Sequence, residues 1–509
     1  MNRRKFLATG TAAACACSLG TLGTRVAWAG EEGGGTKKLR LRVIYALYAP
    51  VQTRPTWPHA GYDFRPVMQK INDDLAKAFP SIEFVSSTAD GPEQAKAIRA
   101  KGKSEKLDGY IVFQMNNWPK VIQTVVGSGK PTLFVDYLYG GTGGFLTYSG
   151  RLTAKNTKNL GVMASSRFED VVRAVGCFRT CTDPTGFADA VTAVRKACTP
   201  GVSNTACKPD EVKTLSPAEW KKQYGRSKIL AFKSDKPSKD KVRDYAGVPL
   251  VYLPFSELNE AWKVADKDQA KEIAAKWAKG ADKIVDVSRS ELENSAAMYL
   301  GQKALLKKYD ADAITINCLG GFYGGHINAY PCLGFHQLCN EGLVGACECD
   351  LKSTVSMLAI KTLTGGRPGF ISDPVLDVAK REIIYAHCVA SNRPFGPEGP
   401  ANSYQILTHS EDRKGAAVRS FLPEGYMTTS IKMMPEKKTI LLHQAKSTGN
   451  STEDKACRTK LKAEVVGDFD KLFAQWNGTH WHRVTVYGDL KDQIHGIADV
   501  LGWKIHQET

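Results

Sequence analysis

Residues 310–363 read DADAITINCLGGFYGGHINAYPCLGFHQLCNEGLVGACECDLKSTVSMLAIKTL, and the rest of the chain is organised around them. Ala313 to Cys318 is short, apolar and β-branched, which predicts a buried strand that runs into a loop at Gly320 and Gly321. Asp350 stands where an N-cap belongs, ahead of a helical pattern with Leu351, Val355, Leu358 and Leu363 on one side. Glu348 therefore falls in the loop at the mouth of a helix, where a carboxylate can reach a ligand. Just beyond, Asp373 follows a second apolar run and a Gly-rich turn, and His387 closes the run Ile383 to Ala386. One glutamate, one aspartate and one histidine are thus expected to converge at strand ends.

Outward from this stretch the pattern is that of an α/β chain. Toward the amino terminus, Leu39–Tyr48, Ile82–Val85, Gly109–Phe113 and Pro131–Asp136 read as strands, and Val67, Met68, Ile71, Leu75 and Phe79 have helical spacing. Strands that alternate with helices predict a parallel sheet whose ligands gather at the strands' carboxyl ends. Those ends are the loop with Trp57, His59 and Tyr62, the segment Gln114–Trp118, and Tyr137–Phe145. Gly140–Gly144 lacks the lysine and hydroxyl residue of a phosphate loop and is expected to be a flexible turn. A second α/β unit holds strands at Ile229–Phe232 and Val248–Leu253 and helices at Gln269–Ala278 and Glu291–Lys308. After about Ile371 short alternating runs separated by turns predict a mostly β region, ended by an amphipathic helix near Ile494–Leu501. The expected organisation is an export signal over 1–29, an α/β domain over 38–226 with a Cys-rich insertion at 175–210, a second α/β domain over 227–370, and a mostly β domain over 371–509.

The amino terminus carries an address. Arg3-Arg4-Lys5-Phe6-Leu7 opens a twin-arginine signal, a weakly apolar Ala/Thr/Gly segment follows, and Ala27-Trp28-Ala29 is a small-residue cleavage site. A periplasmic or extracellular protein, exported folded and without stable membrane insertion, is expected. The formal net charge is +17, and loss of Arg3, Arg4, Lys5 and Arg25 with the signal leaves +13. Lysines are interspersed with acids, as in KSDKPSKDKVRD, so a solvated basic surface is expected and nucleic acid is not an expected partner.

Export also colours the reading of the cysteines. Cys177, Cys181, Cys198 and Cys207 lie in a Thr/Pro/Gly-rich insertion and are expected to form two disulfides, with a zinc knuckle as the alternative. Cys318, Cys332, Cys339, Cys347, Cys349, Cys388 and Cys457 crowd the central stretch, most of them as small buried hydrophobes.

The ordered patterns ACECD, ISDP and AHC, followed by HSEDRKGAAV, GYMTTSIKM, CRT and HWHRVTVYGD, resemble the metal-site region and C-terminal domain of the L-fucose isomerase and L-arabinose isomerase superfamily. The resemblance covers about the last two hundred residues well and the earlier part in outline. It implies a divalent metal, Mn²⁺ or a similar ion, held by Glu348, Asp373 and His482, with His480 as a less favoured neighbour. His387 matches a further histidine ligand of the arabinose-isomerase branch. The implied activity is aldose–ketose isomerisation of a free monosaccharide through an ene-diol. That chemistry needs carboxylate acid/base groups, here Glu348 and Asp373, beside a cation that polarises carbonyl and hydroxyl. Trp57, His59, Tyr323 and His326 are the expected substrate contacts, on loops that set specificity. A homo-oligomer, trimer or hexamer, is implied too. The alternatives are a non-catalytic sugar-binding protein on the same fold and a metal-dependent epimerase or hydrolase of glycan fragments.

Overall fold

Runs of β-branched residues that alternate with amphipathic helices build two sheets before the chain turns to antiparallel structure. The computed structural model describes residues 38–181, 183–203, 206–236, 242–476 and 481–509; the segment read as an export signal and His480 lie outside them. The first sheet comprises β1 (Arg40–Ala46), β2 (Glu83–Ala89), β3 (Gly109–Gln114), β4 (Thr132–Asp136) and β5 (Leu160–Met163). All are parallel, in the order β2-β1-β3-β4-β5. The order reverses direction between β1 and β3, so the loops leaving these two strands diverge and open a crevice at their carboxyl ends. Trp57 and Asn117–Trp118 sit on those loops. Gly140–Gly144, expected as a flexible turn, is instead the entry to the helix Thr142–Ala154. A Cβ on Gly141 or Gly144 would collide with the carbonyl oxygen of Gln114 or Asn117. The glycines thus let this helix press against the loop after β3.

The insertion at 175–210 is likewise more regular than its composition suggests. It contributes to two helices, Phe168–Thr180 and Pro184–Cys198, the second capped by Asp183 with Pro184 in its first turn. The disulfides expected there do not form. Cys177, Cys181 and Cys198 are free thiols, Cys177 and Cys198 being buried among core side chains, whereas Cys207 lies near Lys446 and Asp489.

The second sheet contains β6 (Ile229–Phe232), β7 (Val242–Tyr245) and β8 (Val248–Leu253), then, after β9 (Lys283–Val285) has paired elsewhere, β10 (Ala313–Ile316) and β11 (Val344–Ala346). Its order is β11-β10-β6-β8-β7, parallel except for β7 against β8. After β10 the predicted loop at Gly320 and Gly321 is a short helix, Cys318–Tyr323, because the Asn317 side chain accepts from the Gly320 N–H and caps it.

The remaining strands are β12 (Phe370–Asp377), β13 (Glu382–His387), β14 (Tyr404–Leu407), β15 (Ala417–Ser420), β16 (Met427–Met434), β17 (Thr439–Asn450), β18 (Thr459–Val466), β19 (Arg483–Tyr487) and β20 (Lys504–Gln507). Six of them run β16-β19-β12-β13-β18-β17, and β16 also pairs with β17, so the antiparallel sheet closes into a barrel with β20 on its flank. Closure removes sheet edges that would otherwise expose unpaired backbone groups. Strands β14, β15 and β9 form a separate small sheet. Among the described residues no helix is long and apolar enough to cross a membrane.

A buried polar cluster ties the chain's last strand to the barrel. Glu508 accepts from Arg483 through both carboxylate oxygens, at 3.0 Å from Nε and 2.5 Å from an Nη, and lies 2.8 Å from His443 Nδ1. The Arg483 guanidinium also covers the Trp476 ring. Burial opposes ionisation of Glu508, but Arg483 outweighs it and holds the carboxyl well below the usual range. Because the folded value lies below the unfolded one of about 4.3, this stabilisation is complete above that pH and is lost as pH falls toward the folded value. Glu508→Gln is expected to cost about 3–5 kcal/mol by stranding buried charge. Thermal melts should show a lower Tm at neutral pH and a smaller further loss on acidification than in the wild type; equal losses for both proteins would remove Glu508 as the cause.

Candidate metal centre

Three neighbouring barrel strands and one loop of the second sheet meet at the candidate centre. Asp373 lies on β12 opposite Ala386 of β13, so His387 is one residue beyond its partner strand position. Ser372 pairs with Arg483 of β19, which brings His482 to the same barrel end. Glu348 reaches in from the loop after β11. That loop doubles back on itself: Glu348 and Cys349 both have left-handed backbones, φ 63° and 51°, and the Cys349 N–H donates to the Ile316 carbonyl. Such conformations are unfavourable for residues with a Cβ and persist where surrounding contacts enforce them. Here they turn the Glu348 carboxylate toward the histidines instead of along the helix Leu351–Leu363.

One ligand atom each from Glu348, His387 and His482 lies within 4.8 Å of the others. Glu348 is 3.7 Å from His387 Nε2 and 3.6 Å from His482 Nε2, and Asp373 Oδ1 is 2.9 Å from His482 Nε2. Asp350 caps the helix by accepting from the N–H groups of Lys352 and Ser353. Its other oxygen holds His482 Nδ1 at 2.9 Å and accepts from the Lys432 ammonium at 2.6 Å. A carboxylate on Nδ1 fixes that proton there and turns the Nε2 lone pair inward.

Charge at the centre is arranged for a cation. Burial opposes ionisation of Glu348, yet His482 and then His387 hold its carboxyl below the usual value. Burial disfavours the imidazolium of His482 too, but Asp373, Glu348 and Asp350 push it up to about 10, and His387 is raised against burial chiefly by Glu348. The carboxylates thus draw protons onto imidazoles that a metal would displace. Meanwhile both ring nitrogens of His387 are buried without a hydrogen-bond partner, and Asp373 Oδ1 and His482 Nε2, buried 2.9 Å apart, are not aligned as a hydrogen bond and have no other hydrogen-bond partner. Buried polar atoms are ordinarily satisfied, so this group of open atoms from two residue types fits a divalent ion with oxygen and imidazole ligands.

The centre opens into a cavity lined by Trp57, Asn117, Trp118, Trp481, His409 and Glu411 besides the ligands. Trp57, Asn117 and Trp118 come from loops of the first sheet of the same chain. Trp481 packs edge-on against both Trp57 and Trp118, at centroid distances of 6.5 and 6.2 Å, so three indoles border one side. Of the expected substrate contacts, Trp57 lines this cavity. Tyr323 stands behind it and donates to Glu411 Oε2 at 2.7 Å. His59 lines a neighbouring cavity with Arg413, Asp454 and Arg458, and His326 is half exposed near Asp235, so neither is brought to the ligands. Lys432, Trp118 and Trp481 escaped the sequence reading. Trp118 lies within a segment assigned to a strand's carboxyl end, whereas nothing in the sequence pairs Lys432 with Asp350.

Several cysteines also border the site. Cys347, Cys388 and Cys457 line the cavity, and Cys347 Sγ lies 3.2 Å from Cys318 Sγ. Cys318, Cys347, Cys388 and Cys457 are all buried, in line with the expectation of small buried hydrophobes.

Comparison with known proteins gives weak but consistent similarity. No family model matches the chain. The relatives found are named sulfoquinovose isomerase. The protein of Priestia aryabhattai is 22% identical over 259 residues, 49% of this chain and 56% of the relative. That of a Clostridium species is 25% identical over 249 residues, 43% of this chain and 51% of the relative, and that of Alkalicoccus urumqiensis 24% over 190 residues, 36% and 42%. The chain spans about half the length of the curated relatives it matches. Among solved structures, the transcription regulator CcpA of Lactococcus lactis aligns over 64% of this chain and 92% of its own at 10% identity, with a TM-score of 0.17, which carries no argument.

Proposed function

We propose that this chain is a metal-dependent aldose–ketose isomerase of a free monosaccharide. The observation that carries the reading is the group of open buried atoms on Asp373, His387 and His482 beside Glu348, at the floor of a cavity rimmed by tryptophans. Weak similarity to proteins named sulfoquinovose isomerase supports the same reaction class. Glu348, Asp373, His387 and His482 would hold the ion, with Mn²⁺ the expected occupant. When bound, the ion supplies Lewis-acid polarisation of adjacent carbonyl and hydroxyl oxygens. The chain's own residues do the rest: the indoles offer flat apolar faces to the sugar's C–H surfaces, the backbone at Glu348 fixes the ligand geometry, and Asp350 orients His482.

The cavity also bears on substrate class. Its lining, among the described residues, contains Glu348, Asp373 and Glu411 but no lysine or arginine. A sulfonate or carboxylate there would meet, besides the proposed ion, only the imidazolium of His409, which is raised to about 9 but already paired with Asp412, and it would face three carboxylates, a costly arrangement in a low-dielectric site. Neutral aldoses are therefore the proposed substrates, in contrast to the sugar in the relatives' name. The test is a ketose-formation assay of Mn²⁺-loaded protein with neutral aldoses, L-fucose and L-arabinose included, beside sulfoquinovose. Turnover of a neutral aldose at least about tenfold faster, a difference of about 1.4 kcal/mol, is expected. Preference for sulfoquinovose overturns the substrate class, and conversion of no sugar by a metal-replete protein overturns the isomerase reading.

A further inference from the structure

Three carboxylates line the cavity, and two of them, Glu348 and Asp373, belong to the proposed ligand set. A carboxylate bound to a divalent cation is a poor proton acceptor, because the ion stabilises its charged form. The third is Glu411, on the loop that follows β14. Its surroundings are built to hold it in place. The Ala60 N–H donates to the Glu411 carbonyl at 2.9 Å, the His409 N–H donates to the Lys414 carbonyl, and His409 Nδ1 lies 3.1 Å from Asp412 Oδ1. Tyr330 donates to the same Asp412 side chain. On the side chain itself, Tyr323 fixes Oε2 from behind.

Outside the proposed ligand set, Glu411 differs from the neighbouring carboxylates in its partners. Asp350 is committed to Lys432 and a helix end, Asp412 to His409 and Tyr330, and Asp454 to Arg413 and Arg458. No lysine or arginine among the described residues forms an ion pair with Glu411. It is also near enough to Glu348 for their negative charges to oppose each other.

We propose that Glu411 is the catalytic residue that carries the proton between the two sugar carbons, an assignment that rests on the isomerase reading above. In the forward direction the Glu411 carboxylate takes the C2 proton of the open-chain aldose as the C2–H electron pair forms the C1=C2 double bond. The C1 carbonyl oxygen takes a proton from a water molecule, which recovers one from O2 in the second half, and the ene-diol results. Loss of the O2 proton and return of the Glu411 proton to C1 give the ketose, with no net change of protons or electrons. Burial, offset in part by His409 and Tyr323, raises this carboxyl to about 7, where both of its protonation states are available near neutral pH.

The test uses full-length Mn²⁺-loaded protein and aldoses deuterated at C2, namely L-fucose, L-arabinose and sulfoquinovose, in ordinary water. Deuterium release from C2, counted whether the label reaches water or C1 of the ketose, is measured with metal content and sugar binding for wild type, Glu411→Gln and Tyr323→Phe. Glu411→Gln is expected to keep its metal and its sugar affinity and to lose about 10²–10⁴-fold in deuterium release. Tyr323→Phe, which leaves the carboxylate in place, should lose about tenfold or less, in proportion to one hydrogen bond of about 1 kcal/mol. Deuterium release by Glu411→Gln within about threefold of wild type overturns the assignment, since a positioned acid/base group contributes more than that. Loss of the metal in Glu411→Gln overturns it also, because the residue would then be part of the centre. A metal-replete wild type that releases no deuterium from any probe overturns the isomerase reading and this assignment together.

Discussion

Glu348→Gln is expected to yield protein that folds but retains far less than one divalent ion per chain after dialysis, with turnover reduced on the order of a thousandfold or more. The substitution preserves shape and removes one negative charge from the middle of the ligand group, 3.7 Å from His387 and 3.6 Å from His482. Those two imidazoles are raised chiefly by carboxylates, so loss of Glu348 also loosens the pull that gathers positive charge at this point. A Lewis acid contributes several kcal/mol to such a reaction, and each 1.36 kcal/mol is about tenfold in rate. Metal content by mass spectrometry, read beside ketose formation, decides the matter. A variant that holds a full equivalent of tightly bound metal sinks the ligand assignment. A variant that loses the metal yet keeps its rate sinks metal dependence.

The second large effect is expected from a residue outside the cavity. Lys432 is fully buried on β16; its ammonium donates to Asp350 at 2.6 Å and to the Ser353 hydroxyl at 3.0 Å. Burial lowers the Lys432 ammonium, while Asp350, although burial disfavours its charge, is held well below the usual carboxylate range by Lys432 and His482. The two directions describe one arrangement: charges that are unfavourable alone and favourable as a pair. Lys432→Met is therefore expected to destabilise the protein by about 3–5 kcal/mol, the usual cost of breaking a buried pair at one end. The same change frees Asp350 from one anchor and lets His482 turn, so metal affinity should fall about 10–100-fold. Adding Asp350→Asn to Lys432→Met should recover much of the stability, because the stranded charge is gone, and none of the metal affinity, because His482 Nδ1 still lacks its carboxylate. Denaturant melts of metal-free protein and metal titrations of the four proteins form a double-mutant cycle that reads both effects. Additive stabilities in that cycle would mean that Lys432 and Asp350 act independently.

Much of the architecture was legible because it rests on local periodicity. The β-branched runs at 109–113 and 131–136 become parallel strands, and the short runs beyond 371 become antiparallel ones. What escaped was decided by capping and by contact. The Gly-rich run 140–144 is helical where composition suggests a turn, because its glycines meet a neighbouring loop that no local pattern reveals. The cysteine insertion is helical because Asp183 and Pro184 start a helix that its threonines and glycines obscure. The disulfides expected there rested on count and compartment, and the fold sends Cys207 toward Lys446 and Asp489.

The sequence alone determined which side chains stand at strand and helix ends. Glu348 and His387 occupy such positions by the rhythm of the residues around them, whereas Asp373, expected at a strand end, lies inside β12; Asp350 caps a helix because its carboxylate meets open N–H groups two and three residues on. Only the tertiary structure decided which of these ends face one another. Closure of the barrel sets Asp373, His387 and His482 on adjacent strands, and the left-handed turn at Glu348 and Cys349 swings in a ligand from another sheet. It also placed Glu411 on the cavity wall and moved His59 and His326 off it. The physical reason is range. Hydrogen-bonding rhythm and capping act over a few residues, whereas a metal centre requires charges from points more than a hundred residues apart to share one small desolvated volume, and only packing sets that distance.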